Sequence, residues 1–275
     1  MQDKRRDDTM FTRPPIPREH GSWAMLLMPY VVGLSVAGSW GWQAAFFLVS
    51  TLALFLARYP LSLVARRGFP RPRDRATRGL YGWLVAYTVV ALISGVALLL
   101  LDRWLMVLLG VLSVLLLLAN LYFSRHKLDR AVWAELVVIA GLSLTAPGAY
   151  YAATGELGQT VLALWMLTSL YSGSSVFYVR LRLHDRRAQP QPEQRRRTQC
   201  ALLLYLGMLL TGVAALIAVG AAPLLVLPAF VPLLYKALRA IGGQRAAQMT
   251  LRQVGFTELG HAVAFAVLVI LAFRL

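Results

Sequence analysis

Long apolar runs divide this chain. They lie near 22–38, 41–57, 80–101, 104–122, 131–153, 159–179, 199–219, 221–235 and 254–273, each with few or no charged residues. A helix crossing a bilayer takes about 20 such residues, within a range of about 17–25. The pattern therefore predicts nine transmembrane helices. The eighth run is short and carries Pro223, Pro228 and Pro232, which predicts a broken or tilted helix. Proline is tolerated in lipid where neighbours or water satisfy the freed carbonyls. Without that run the count is eight.

The polar segments alternate in length. Ser39–Trp42, Leu101–Arg103, Thr154–Gly158 and the Gly220 region are short, whereas 66–79 and 180–198 are long, Arg-rich and contain proline. The two long segments follow the second and sixth spans. Their spacing suggests a four-plus-four duplication with one helix added, although no residue-level repeat is visible. The expected organisation is a cytoplasmic tail over 1–21 and a single polytopic domain over 22–275. Its cytoplasmic loops would be 58–79, 123–130, 180–198 and 236–253.

Composition sharpens this picture. The chain has 275 residues, of which 58% are hydrophobic and 15% charged; a soluble domain carries roughly 25% charged residues. The excess of 28 Lys+Arg over 12 Asp+Glu gives a formal charge of +16. A nucleic-acid binder gathers such charge on a soluble surface, and little soluble surface is available here. Basic residues are retained on the cytoplasmic side of membrane proteins. With the N-terminus inside, 26 of the 28 fall on that side, leaving only Arg103 and Arg274 outside. The charge thus predicts an N-in, C-out topology. The single Cys200 excludes a disulfide scaffold and a Cys-based metal site. The first span has the basic flank of a signal peptide. Its long tail, containing Asp3, Asp7, Asp8 and several prolines, and the span that follows at once favour an uncleaved anchor.

A few polar residues stand out against the apolar background. Glu19 and His20 precede the first span, while Glu258 and His261 sit three apart near the start of the last, on one helical face. Ionisable groups in a membrane usually face a cavity or a partner. Three readings stay open: interfacial capping, proton transfer by a histidine that titrates near neutrality, and metal or haem ligation. Tyr171, Ser174, Tyr178, Arg182 and Asp185 form a stripe at the end of the sixth span, with Arg180 beside it. Guanidinium groups suit phosphate, but snorkelling arginines with interfacial tyrosines would look alike. Arg58, Tyr59 and Ser62 close the second span, and Asn120, Ser124, Arg125 and Lys127 the fourth. Glu135 needs a partner, for which Arg125 or Arg130 is expected. Gly173 and Gly260 read as helix-packing positions. No P-loop, HExxH motif, Ser/His/Asp order or dinucleotide fingerprint is present.

The segment Pro17-x-Glu19-His20-Gly21-Ser22-Trp23-Ala24-Met25-Leu26 with Pro29, the Arg58-Tyr59-Pro60 step and Gly255–His261 resemble the YwiC-like family of bacterial membrane proteins. The resemblance implies a multipass protein of the bacterial cytoplasmic membrane, and it brings no activity with it. A more distant similarity is to UbiA-type intramembrane prenyltransferases, which implies a nine-helix ring with a cytoplasmic-side cavity. Leu121–Arg125 resembles their Tyr-Ser step before helix five. Val179–Arg186 is similar to a degraded second aspartate motif that keeps Arg180 and Asp185. Their first acidic motif would fall near Arg58–Arg67, where this chain has no carboxylate.

That lack matters because Mg²⁺ is bound by oxygen ligands, chiefly carboxylates. The reading is an all-α integral membrane protein that binds an anionic-headed amphiphile without the aspartate–Mg²⁺ site. Substrate contacts are expected from Arg58, Asn120, Arg125, Lys127, Tyr178, Arg180, Arg182 and Asp185 through charge-assisted hydrogen bonds. Glu19, His20, Glu258 and His261 would supply any acid–base chemistry. The expected partners are the bilayer and an isoprenoid phosphate, a quinone or an anionic lipid, with no nucleic acid; no metal site and no particular cofactor are assigned. Alternatives are a divergent prenyltransferase-like enzyme, a non-enzymatic quinone or lipid transporter, and a haem- or metal-binding respiratory accessory protein.

Overall fold

The computed structural model describes residue 14 and residues 20–66, 75–126, 131–185, 191–242 and 251–275. These are helical almost throughout. In chain order the helices are α1 (His20–Ala37), α2 (Trp42–Arg66), α3 (Arg75–Leu100), α4 (Met106–Arg125), α5 (Val132–Ser143), α6 (Thr145–Thr154), α7 (Gln159–Asp185) and α8 (Pro192–Ala218). A 3-10 segment (Leu224–Phe230), α9 (Val231–Gly242) and α10 (Leu251–Arg274) complete them. Among the described residues eight helical stretches are long and apolar enough to cross a membrane, and Gly21–Ala37 is a shorter apolar helix. The chain is an all-α, multipass membrane protein.

The expected span positions agree with these elements, but their ends differ. The α2 helix runs through Pro60 to Arg66, α7 continues to Asp185, and α9 reaches Gly242. Much of what reads as cytoplasmic loop is therefore helix. A helix satisfies its backbone internally, so it can continue past the hydrocarbon wherever no residue breaks it. Pro60 removes one such bond. Nearby, the Ser62 hydroxyl donates to the Tyr59 carbonyl at 2.8 Å.

The fifth span is interrupted at Leu144, between α5 and α6. Pro147 stands in the first turn of α6, a position where its missing N–H does least harm. The Thr145 hydroxyl lies within bonding distance of the Leu142 carbonyl at 2.9 Å and of Leu26 in α1 at 2.8 Å. Three prolines shape the eighth span: Pro223 precedes the 3-10 segment, Pro228 lies within it, and Pro232 falls in the first turn of α9.

Two compact units are present. One comprises Trp40–Ala134 with the N-terminal residues, the other Gly21–Ser39 with Glu135–Leu275. In the first unit α2 packs along α3, and the Ser50 hydroxyl donates to the Ala91 carbonyl at 3.2 Å. Trp40, Trp42 and Trp104 are exposed at one end of α2 and α4, and Tyr59 and Tyr122 near the other. Along these helices the aromatic groups are separated by about 26 Å of rise, close to the ~30 Å hydrocarbon thickness. Aromatic belts at both interfaces are a membrane signature.

The second unit is built around α7, the most enclosed span. It packs against α6, α8 and α9, while α10 lies on the 3-10 segment. Leu164, Leu167, Leu181, Leu202, Leu209, Phe230, Leu233 and Phe265 form its core. Close helix approach depends on two glycines. A Cβ on Gly33 would collide with the Ala146 backbone, and one on Gly173 with the Tyr205 hydroxyl. Gly260, by contrast, has nothing within 4 Å of its would-be Cβ; the packing role read for it from sequence does not apply within this unit. Arg274 Nε donates to the Ser35 carbonyl at 2.8 Å. This brings the C-terminal ends of α1 and α10 together.

Candidate functional site

Three basic side chains are buried among the described residues: Arg182 and His184 on α7, and Lys236 on α9. Each is expensive in an apolar interior unless paired, so their partners decide what the site can do.

Lys236 is 5% exposed and lies on a buried stripe with Leu233, Ala237 and Ala240. Its Nζ donates to both oxygens of Glu258 on α10, each at 2.7 Å. The Ser175 hydroxyl on α7 donates to Glu258 Oε2, also at 2.7 Å. Three helices thus meet at one neutral ion pair. The ammonium also stands 4.9 Å from the Tyr178 ring centroid and 5.9 Å from that of Tyr171, where the ring faces favour a cation. Tyr171 stacks on Phe265 at 4.0 Å, and its hydroxyl is buried without a hydrogen-bond partner.

Tyr178 links this pair to Arg182. Arg182 Nε donates to the Tyr178 hydroxyl at 3.2 Å, and its Cζ lies 5.2 Å from the ring. Arg182 is 8% exposed. No carboxylate among the described residues pairs with it, and its Nη1 has no hydrogen-bond partner. Both ring nitrogens of His184 and Asp185 Oδ2 are likewise buried and unpartnered. Among the described residues, the buried side-chain atoms lacking partners fall, apart from Ser143 Oγ, on α7. Unmade hydrogen bonds of this kind cost about 1–3 kcal/mol each, more when charged. The C-terminal half of α7 is therefore a buried polar seam that offers donors.

The sequence-derived candidates distribute unevenly. Glu258, Tyr178 and Arg182 come together around Lys236. Arg180 turns instead to Glu135, 3.0 Å away, so Glu135 has a partner on α7; the Arg125 side chain and Arg130, the partners expected for it, lie outside the described residues. Asp185 accepts from Arg195 Nε of α8 at 2.7 Å. His261 Nδ1 lies 2.6 Å from the Thr257 carbonyl; a carbonyl only accepts, so Nδ1 carries the hydrogen. Arg58 and Asn120 belong to the first unit, on α2 and α4. Glu19, Lys127 and Arg130 lie outside the described residues, as do the side chains of His20 and Arg125.

Two residues of the site were not among the candidates. Ser174 bonds back to the Tyr171 carbonyl at 2.6 Å, and its neighbour Ser175 reaches Glu258. Tyr171, Ser175, Tyr178, Arg182 and Asp185 recur at i, i+4, i+7, i+11 and i+14, the even stripe that a helix presents to one neighbour. Lys236 counted as topological charge, yet its place on the Leu233–Ala240 stripe was a readable signal.

A divalent cation does not suit this arrangement. Glu258, Glu135 and Asp185 are each taken by a basic side chain, and no three His, Cys, Asp or Glu converge among the described residues. Cationic donors dominate the site instead.

Residues 16–150 match the family described as YwiC-like protein. Over those residues the chain is similar to the YwiC-like family. It is 28% identical to "Uncharacterized protein YwiC" of Bacillus subtilis over 178 residues, covering 62% of this chain and 68% of that protein. It is 24% identical to an "Uncharacterized protein" of Haemophilus influenzae over 259 residues, covering 94% of this chain and 98% of the other. No solved structure matches. The YwiC-like match ends in α6, before the Lys236–Glu258 site; the Haemophilus influenzae alignment extends into α7–α10.

Proposed function

We propose that this YwiC-like chain is a protein of the bacterial cytoplasmic membrane, N-terminus inside and C-terminus outside, that binds an anionic-headed amphiphile on its cytoplasmic side. The observation that carries this reading is Arg182, a buried guanidinium with an unpartnered Nη1 and no carboxylate on it among the described residues. A buried charge without a counter-charge is strongly unfavourable, and a phosphate oxygen supplies both the charge and the acceptor that Nη1 lacks. Arginine's fork of donors fits that group. His184, buried beside it in sequence with both ring nitrogens unpartnered, adds donor capacity. Apolar helix faces would hold the tail. An isoprenoid phosphate and a phospholipid share this chemistry.

Binding of farnesyl phosphate and of phosphatidylglycerol to the detergent-purified protein tests the reading. Arg182→Gln is expected to weaken both by about tenfold to a hundredfold, the worth of a charged hydrogen bond. Arg197→Gln, which alters an exposed pair with Glu193, is expected to leave both unchanged. Equal affinity of wild type and Arg182→Gln contradicts the proposal.

A further inference from the structure

The Lys236–Glu258 pair and Arg182 share one aromatic ring, and this connects their charges. Nζ of Lys236 faces the Tyr178 ring at 4.9 Å while Arg182 Nε bonds its hydroxyl at 3.2 Å. Two cations and one carboxylate therefore stand around Tyr178, a net charge of one positive. Tyr171 and Ser175 on α7 also stand beside Glu258, and His261, one turn further along α10, is held at Nδ1 by the Thr257 carbonyl. The 3-10 segment against α10 contributes no titratable side chain. His184 is buried on α7, and Arg180 and Asp185 are engaged by Glu135 and Arg195.

We propose that Glu258 takes up a proton when a phosphate-monoester head binds between Arg182 and Lys236, so that ligand and proton enter together. This rests on the anionic-amphiphile reading and narrows its ligand. A monoanionic head neutralises Arg182 and leaves the Lys236–Glu258 pair undisturbed. A dianionic head needs both cations. Lys236 then turns its ammonium from Glu258 to the phosphate, and Glu258 is left as a surplus buried anion. Protonation of its carboxylate restores neutrality, because a desolvated unpaired charge is far costlier than a neutral acid. Ser175 stays in place to bond the acid form. The proton comes from water, and no bond other than O–H is made. By linkage, the proton favours the dianionic ligand as much as the ligand favours the proton.

Proton uptake on binding is the test, followed with an indicator dye in weakly buffered detergent solution at pH 8. Farnesyl phosphate is then dianionic, since a phosphate monoester loses its second proton near about pH 6. Phosphatidylglycerol, a phosphodiester, stays monoanionic. Wild type is expected to take up about one proton per farnesyl phosphate and none per phosphatidylglycerol. Its affinity for farnesyl phosphate should fall by about tenfold per pH unit above pH 7.5, the slope for one linked proton. Glu258→Gln, which keeps an acceptor for Nζ, should bind farnesyl phosphate without uptake and without that slope. Arg197→Gln, at the exposed pair with Glu193, should retain both. Uptake that persists in Glu258→Gln, or vanishes in Arg197→Gln, overturns the assignment. Binding of both lipids by wild type with no proton taken up overturns it as well, and needs no variant to fold. If neither lipid binds, the parent reading fails and this one with it.

Discussion

Lys236→Met is expected to destabilise the folded protein by about 3–5 kcal/mol, the usual cost of removing one partner of a buried ion pair. Met matches the length of the Lys stem and fills the same space beside Leu233, Ala237 and Ala240. The loss therefore reports charge, not volume. What it strands is the Glu258 carboxylate, which in the native protein accepts two bonds from Nζ and one from Ser175. Combining Lys236→Met with Glu258→Leu is expected to recover most of the stability, since a buried pair replaced by apolar residues is often neutral or better. Thermal melting in detergent checks this. A double variant no better than Lys236→Met would show that the pair is not a closed unit.

Gly33→Leu is expected to have an effect of similar size by a different route. Gly33 on α1 faces the Ala146 backbone on α6 so closely that even a Cβ would overlap the carbonyl. A flexible side-chain end could move aside, but a backbone carbonyl cannot without shifting α6. Overpacking ordinarily costs about 1–3 kcal/mol, and the rigid obstacle here places the expected loss at or above about 3 kcal/mol. The variant should run as aggregate in size-exclusion chromatography. Gly260→Ala is the control: open space surrounds it, and removing a helical glycine should stabilise by about 0.5–1 kcal/mol. A well-folded Gly33→Leu would contradict the close packing of α1 on α6.

These residues show what could be read from the sequence. The spans were legible because lipid tolerates only long apolar runs, and those runs coincide with the helices. Their ends were not, because α2, α7 and α9 continue into polar sequence without a residue that stops a helix. The interruption at Leu144 depends on Pro147 and on Thr145, whose second acceptor lies in α1; that partner is a tertiary fact. Arg182, Tyr178 and Glu258 stood out as polar groups in apolar surroundings. Lys236 did not, because a lysine near a span end also serves topology, and only the packing of α9 against α7 and α10 tells the two roles apart. Ser175 was missed for a related reason. Adjacent serines point about 100° apart on a helix, and which one faces Glu258 depends on how α7 is rotated.

The proposed function turns on whether Arg182 holds an anionic head. Native mass spectrometry of protein extracted directly from membranes is the most direct measurement. The predicted result is a retained phosphate-bearing amphiphile on wild type, lost in Arg182→Gln and kept in Arg197→Gln. A wild-type protein that carries no anionic amphiphile, or an Arg182→Gln variant that carries the same one equally, would contradict it.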